Sequence, residues 1–223
     1  MECIYTSEAL VVCVKPAGIL SQDDGRGTSL PARLRAELGG EIYPVHRLDR
    51  MVGGLMVCAR TAGAAAFLSR AVQEGRLVKT YLAALRGSPA QPEGRLTDLL
   101  YHDPRRNKTY VVNRMRRGVR EAALEYETLE TQPEATLVRV RLLTGRTHQI
   151  RAQFAARGTP LWGDGPYGGG GGGIGLWSAS LAFPDPAGGA LLSFTRRPPA
   201  EGIWRRFQTL TGSVPPETPG RAE

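Results

Sequence analysis

The stretch His46-Arg47-Leu48-Asp49-Arg50-Met51-Val52-Gly53-Gly54-Leu55-Met56-Val57 joins a charged segment to two glycines and an apolar run. It reads as a polar loop feeding a strand over residues 54–60. Its one carboxylate, Asp49, stands between Arg47 and Arg50, and neighbouring positive charge favours the ionised acid. An ionised, positioned carboxylate suits covalent chemistry on a sugar or an electron-poor base. The plain alternative is a salt-bridged Asp at a turn. Two later segments weigh against it, Lys79-Thr80-Tyr81 and Thr144-Gly145-Arg146-Thr147-His148-Gln149-Ile150-Arg151.

Working outward, residues 10–14 read as a buried strand stopped by Lys15-Pro16-Ala17-Gly18. A short helix over 29–38 follows, capped by Thr28 or Ser29 with Pro31 in its first turn. Thr61 caps an Ala-rich helix to residue 73, and residues 78–85 form a strand carrying Tyr81. After Gly87 comes a Pro/Gly-containing stretch, then a basic segment with a strand at 109–112. Further strands are expected at 121–129, 136–143, 175–183 and 190–194. Thr147 is expected to cap a helix to Arg157, and residues 201–210 a helix with Ile203, Phe207 and Leu210 on one side. Six consecutive glycines at 168–173 predict a mobile surface loop. Many strands with few helices between them predict an α+β fold with a mainly antiparallel sheet. The expected domain is residues 1–212, with the Pro-rich tail 213–223 disordered.

The chain has 223 residues, 41% of them hydrophobic and 22% charged, which suits a soluble globular protein. No apolar run approaches the roughly 18 residues of a membrane span, and no signal-peptide pattern opens the chain. Cys3, Cys13 and Cys58 form no CxxC pair or metal-like spacing, so reduced thiols and a cytoplasmic location are expected. The net charge is +8. Residues 105–120 hold Arg105, Arg106, Lys108, Arg114, Arg116, Arg117 and Arg120 without an acid. That concentration points to a phosphate-bearing partner, nucleic acid ahead of a membrane surface.

On a helix from Thr147, His148 and Arg151 share a face. The Arg151 guanidinium could fork onto a carboxylate with two parallel hydrogen bonds, Asp49 being the candidate. Tyr81 is either core packing or a ring on which a flipped base stacks. Asp164, between glycines, is either a turn former or the second acid of a glycosidase pair. His46 and His148 suit acid/base or structural roles. No metal-ligand spacing, P-loop or dinucleotide fingerprint is present.

The three segments, in this order, resemble the motifs of the RluA-type pseudouridine synthases. Val14-Lys15-Pro16-Ala17-Gly18 and Gly163-Asp164-Gly165-Pro166-Tyr167-Gly168 add to the resemblance. It implies a long bent mixed sheet with flanking helices and a central cleft. The implied reaction turns a uridine of RNA into pseudouridine without a cofactor or metal. The resemblance implies Asp49 as the catalytic carboxylate, Tyr81 as the tyrosine that packs on uracil and helps remove the C5 proton, and Arg151 as the partner of the acid. It also implies that Arg47 enters the RNA stack in place of the flipped base. His46, Arg146 and His148 are expected to contact RNA, and Lys108, Arg114, Arg116 and Arg117 to grip its phosphates.

Two departures stand out. Many members read Thr-Ser-Gly where this chain has Val52-Gly53-Gly54, which removes two hydroxyls beside Asp49. Many carry an S4-type RNA-binding domain before the catalytic one; here none is expected. Ribosomal and transfer RNA are both open as substrates, and a monomer is expected. The competing readings are an RNA-binding or RNA-folding module without catalysis, and a glycoside-processing enzyme using Asp49 with Asp164.

Overall fold

The computed structural model describes residues 1–23 and 28–211. In chain order these form β1 (Cys3–Thr6), β2 (Leu10–Lys15), α1 (Leu30–Leu38), β3 (Tyr43–Pro44), β4 (Gly53–Ala59) and α2 (Ala62–Gln73). Next come β5 (Val78–Arg86), β6 (Glu93–Asp103), β7 (Lys108–Val112), β8 (Val119–Gln132), β9 (Ala135–Leu142) and α3 (Gln149–Ala155). The described chain closes with β10 (Leu176–Pro184), β11 (Leu191–Thr195) and α4 (Gln208–Thr211), with short 3-10 turns at Gly165–Tyr167 and Gly202–Arg206.

These strands join one sheet, ordered β1-β2-β4-β10-β5-β9-β8-β6-β7, with β3 on β4 and β11 on β10. Pairing is antiparallel except between β4 and β10, where Gly53 faces Trp177 and Gly54 faces Ser178. The fold is α+β, as the strand-rich sequence predicts. Strand alternation splits the core. Val11, Cys13, Met56 and Cys58 pack on one face with α1, Ile150 and Phe154 of α3, and Val138 and Val140. Leu10, Val12, Leu55 and Val57 point the other way, onto α2 through Ala64 and Leu68. Both faces of β2 and β4 are thus covered, which explains their unbroken apolar runs. Cys13 and Cys58 are buried free thiols, and burial pushes Cys58 up to about 12.

Most predicted elements are present. Ser29 caps α1 by accepting from the Ala32 N–H, and Thr61 caps α2 through Ala64. Three expectations fail. The stretch after Gly87 contains β6, whose Glu93-Gly94-Arg95-Leu96-Thr97-Asp98 start lacks apolar alternation. Its stability comes from pairing, Glu93–Tyr101 against β8 and Leu99–Asp103 against β7. Thr147 does not cap α3: His148 is the cap residue, at a left-handed φ of 52° and with no side-chain cap bond. Gln149 instead turns its own Oε1 back to the Arg146 N–H at 3.0 Å. The helix expected at 201–210 splits at Phe207, which is extended and fully buried against the β5–β10 face.

The glycine run departs from a free loop at its start, where the Gly168 N–H donates to the Gly165 carbonyl. Gly169 accepts from the Gly163 N–H and donates to the Asp164 carbonyl. A Cβ there would lie 1.8 Å from the Leu161 carbonyl oxygen, so only glycine fits. The tail from Ser213 lies outside the described residues. Among the described residues, no helix is long and apolar enough to cross a membrane.

Candidate active site

A cleft of about 1100 Å³ opens between the Asp49 loop, the start of β5 and the turn leading into α3. Asp49, Tyr81 and Arg151, far apart in sequence, all line it.

Asp49 sits in the turn that enters β4, where its carbonyl accepts from the Val52 N–H. Val52 is buried, and the two glycines after it are closely packed against β10. At Gly54, φ is +120° and a Cβ would meet the Ser178 carbonyl oxygen at 2.3 Å. From below, Lys15 is fully buried and its ammonium donates to the carbonyls of Pro16, Ile19 and Arg50 at 3.0, 2.8 and 3.1 Å. Burial lowers its pKa to about 8, with Asp49 acting the other way. In the sequence Lys15 reads as part of a turn and of a segment that adds to the family resemblance, with no role of its own; its place beside Pro16 and Gly18, at the end of an apolar strand, is the available signal.

The carboxylate of Asp49 accepts from Arg151 Nη1 at 2.9 Å. The fork predicted for Arg151 exists, but Asp164 receives it, through Nε at 2.7 Å and Nη2 at 2.8 Å. Burial works against the charge of Arg151, yet the bonds and charge of Asp164, with those of Asp49, overcome it and push its pKa up. Asp164 is 2% exposed, and the backbone around it is locked by Gly169. An acid so sealed and paired cannot reach a glycosidic oxygen or water, which removes the Asp49–Asp164 glycosidase reading. The role missed in the sequence is that of an anchor for Arg151.

His148 belongs to the same cluster. Tyr167 Oη accepts from the Thr109 N–H at 2.7 Å and lies 3.1 Å from His148 Nδ1, which ties the ring to the phenol. The other ring nitrogen, Nε2, lies 3.7 Å from Asp49 Oδ2, too long for a direct bond. The left-handed backbone at His148 is the strain that aims the ring there. Burial lowers its pKa despite the charge of Asp49.

Tyr81 is 5% exposed on β5, between Val140 of β9 and Ser178 of β10. Burial, aided by the charge of Asp49, raises its pKa above the usual phenol range and outweighs a bond from Ser178. The phenol therefore keeps its proton.

The expected RNA contacts divide. Arg47 is exposed at the cleft mouth, its Nη2 3.5 Å from the Thr147 hydroxyl. Arg146 is exposed and tethered by its Nε to the Glu121 carbonyl. His46 is among the residues that line the cleft but is buried, and its Nε2 accepts from the Val57 N–H, which ties the ring to β4. Burial drives its pKa down to about 3. Lys108 stacks over Tyr110 and Tyr167 at 5.6 and 5.1 Å, and Arg116 over Tyr101 at 5.0 Å. Arg114 and Arg117 are exposed beside it. A side groove lined by His102, Gly118, Arg120, Arg146 and Thr147 runs from this basic segment to the turn before α3.

The family described as RNA pseudouridylate synthase matches residues 9–156. An uncharacterized RNA pseudouridine synthase of Aquifex aeolicus is 35% identical over 177 residues, 74% of this chain. The dual-specificity RNA pseudouridine synthase RluA of Yersinia pestis is 33% identical over 173 residues, 75% of this chain and 82% of that protein. The solved structure of human RNA pseudouridylate synthase domain containing 1 shares the fold, with a TM-score of 0.75 at 22% identity, covering 97% of this chain and 96% of that one. The chain spans 55% of the length of the Aquifex relative.

Proposed function

The chain belongs to the RluA-type RNA pseudouridine synthase family, and on that premise we propose that it isomerises uridine in structured RNA, with Asp49 as the catalytic carboxylate. The observation that carries this reading is the Asp49–Arg151 bond of 2.9 Å at the wall of a cleft also lined by Tyr81. The guanidinium holds the Asp49 carboxyl group in place and aims it into the cleft. The base leaves the stack and lies against Tyr81, and unstacking costs a few kcal/mol that a loop or bulge reduces.

In the reaction the bond from ribose C1′ to N1 breaks, the uracil turns, and a bond from C1′ to C5 forms. The C5 hydrogen leaves as a proton and N1 finishes with one, so atoms and electrons balance without a cofactor. Asp49 acts at C1′ or on the ring as nucleophile, or as base in an elimination. Tyr81 keeps its proton and packs on the ring. Arg47 fills the gap left in the RNA, and Lys108, Arg114, Arg116, Arg117 and Arg146 hold phosphates. Ribosomal RNA, transfer RNA or both are the proposed substrates, met in the cytoplasm by a monomer.

Release of tritium from C5-labelled uridine in unmodified ribosomal and transfer RNA transcripts tests the reading. Release by the wild type and none by Asp49→Asn supports it. Equal RNA binding by both proteins with no release from any transcript overturns it in favour of a binding module.

A further inference from the structure

Lys79 lies two residues before Tyr81 on β5, so both side chains leave the same face, about 6.6 Å apart along the strand. Both line the cleft. The Lys79 side chain is mostly buried, and burial alone acts on its ammonium, lowering its pKa with no carboxylate among the described residues to offset it. The acids lining the cleft are engaged elsewhere, Asp49 by Arg151 and Asp23 by Arg35. The neighbourhood is short of acceptors: His46, close enough to feel the lysine charge, has a buried Nδ1 with no partner among the described residues. The ammonium lies against Gly145, where a Cβ would approach Nζ to 3.3 Å.

A half-desolvated ammonium without a counter-ion is costly, and the cost is removed by an anion that arrives with the ligand. RNA brings one phosphate per nucleotide. The spacing of Lys79 from Tyr81 is of the order of the distance from a nucleobase to the phosphates beside its ribose. We propose that Lys79 is an anion subsite that takes one backbone phosphate next to the nucleotide stacked on Tyr81. This rests on the RNA-modifying reading and adds to it the residue that registers the strand in the cleft.

The test is binding of a hairpin RNA with loop uridines, followed by anisotropy over a salt series. It compares wild type, Lys79→Met and Lys79→Arg, with one neutral methylphosphonate walked through the loop. Lys79→Met is expected to lose on the order of tenfold in affinity, with a salt slope lower by about 0.7. Lys79→Arg recovers most of both. One methylphosphonate position reproduces the loss in wild type and adds nothing in Lys79→Met. An unchanged salt slope in folded Lys79→Met, or losses that add to the mutation at every position, overturns the proposal. Should Lys79→Met fail to fold, the walk on wild type decides, and equal effects at all positions overturn it. Tritium release is read separately, so an inactive protein that shows the Lys79 pattern sinks the isomerase reading and leaves the phosphate site standing.

Discussion

Asp49 and Asp164 are joined through one guanidinium: Arg151 gives Nη1 to the first at 2.9 Å and both Nε and Nη2 to the second at 2.7 and 2.8 Å. The partly exposed acid faces the cleft, and the sealed one fixes the cation that aims it. Position at Asp49 therefore depends on a distant residue of the chain that no substrate can touch.

Asp164→Ala is expected to leave Arg151 without its fork. Removing one partner of a buried pair costs about 3–5 kcal/mol, read by urea unfolding. Where the variant still folds, misplacement of Arg151 should lower turnover on the order of 100-fold. Wild-type turnover would show that Asp49 needs no such anchor.

The glycine run supplies a test with its own control. Gly169→Ala places a methyl 1.8 Å from the Leu161 carbonyl and should cost about 2 kcal/mol or more, with Asp164 displaced and activity reduced. Gly171→Ala meets nothing within 4 Å and should stay within about 0.5 kcal/mol of wild type. Equal melting temperatures for the two variants would refute the packing described around Asp164.

His46 sets an acid limit on stability. Its folded pKa, about 3, lies below the ordinary value of 6.5, so the unfolded chain binds the proton more tightly across that window. Stability from this residue is complete above 6.5 and falls as the pH drops towards 3, by about 1.4 kcal/mol per unit. Unfolding free energies measured from pH 7 to 5 should fall less steeply in His46→Gln than in wild type. Identical slopes would mean that His46 is not held neutral by burial.

Replacing Arg114, Arg116 and Arg117 with Ala should weaken RNA binding and flatten its salt dependence, by about 0.7 in slope for each phosphate no longer neutralised. The same salt slope in the triple variant would place this segment away from the RNA.

Much of this is legible in the sequence. The α1 and α2 caps, the apolar runs of β2 and β4 and the meeting of Asp49, Tyr81 and Arg151 follow from local chemistry and the order of the motifs. β6 is hidden because a strand held by pairing needs no apolar alternation, and Glu93 through Asp98 show none. His148 and Asp164 escape sequence reasoning for a shared reason. A left-handed cap and a buried fork are set by long-range contacts, to Tyr167 and Arg151, which helical spacing cannot express. His46 looks like a surface group because its motif neighbours are charged, yet its ring turns inward to the Val57 N–H.

Pseudouridine mapping of total RNA from cells with and without this gene, complemented by wild type or Asp49→Asn, tests the central claim most directly. The expected result is at least one site lost without the gene, restored by wild type and not by Asp49→Asn. Restoration of that site by Asp49→Asn, or an unchanged map in all strains, would contradict the assignment of Asp49 as the catalytic carboxylate of an RNA isomerase.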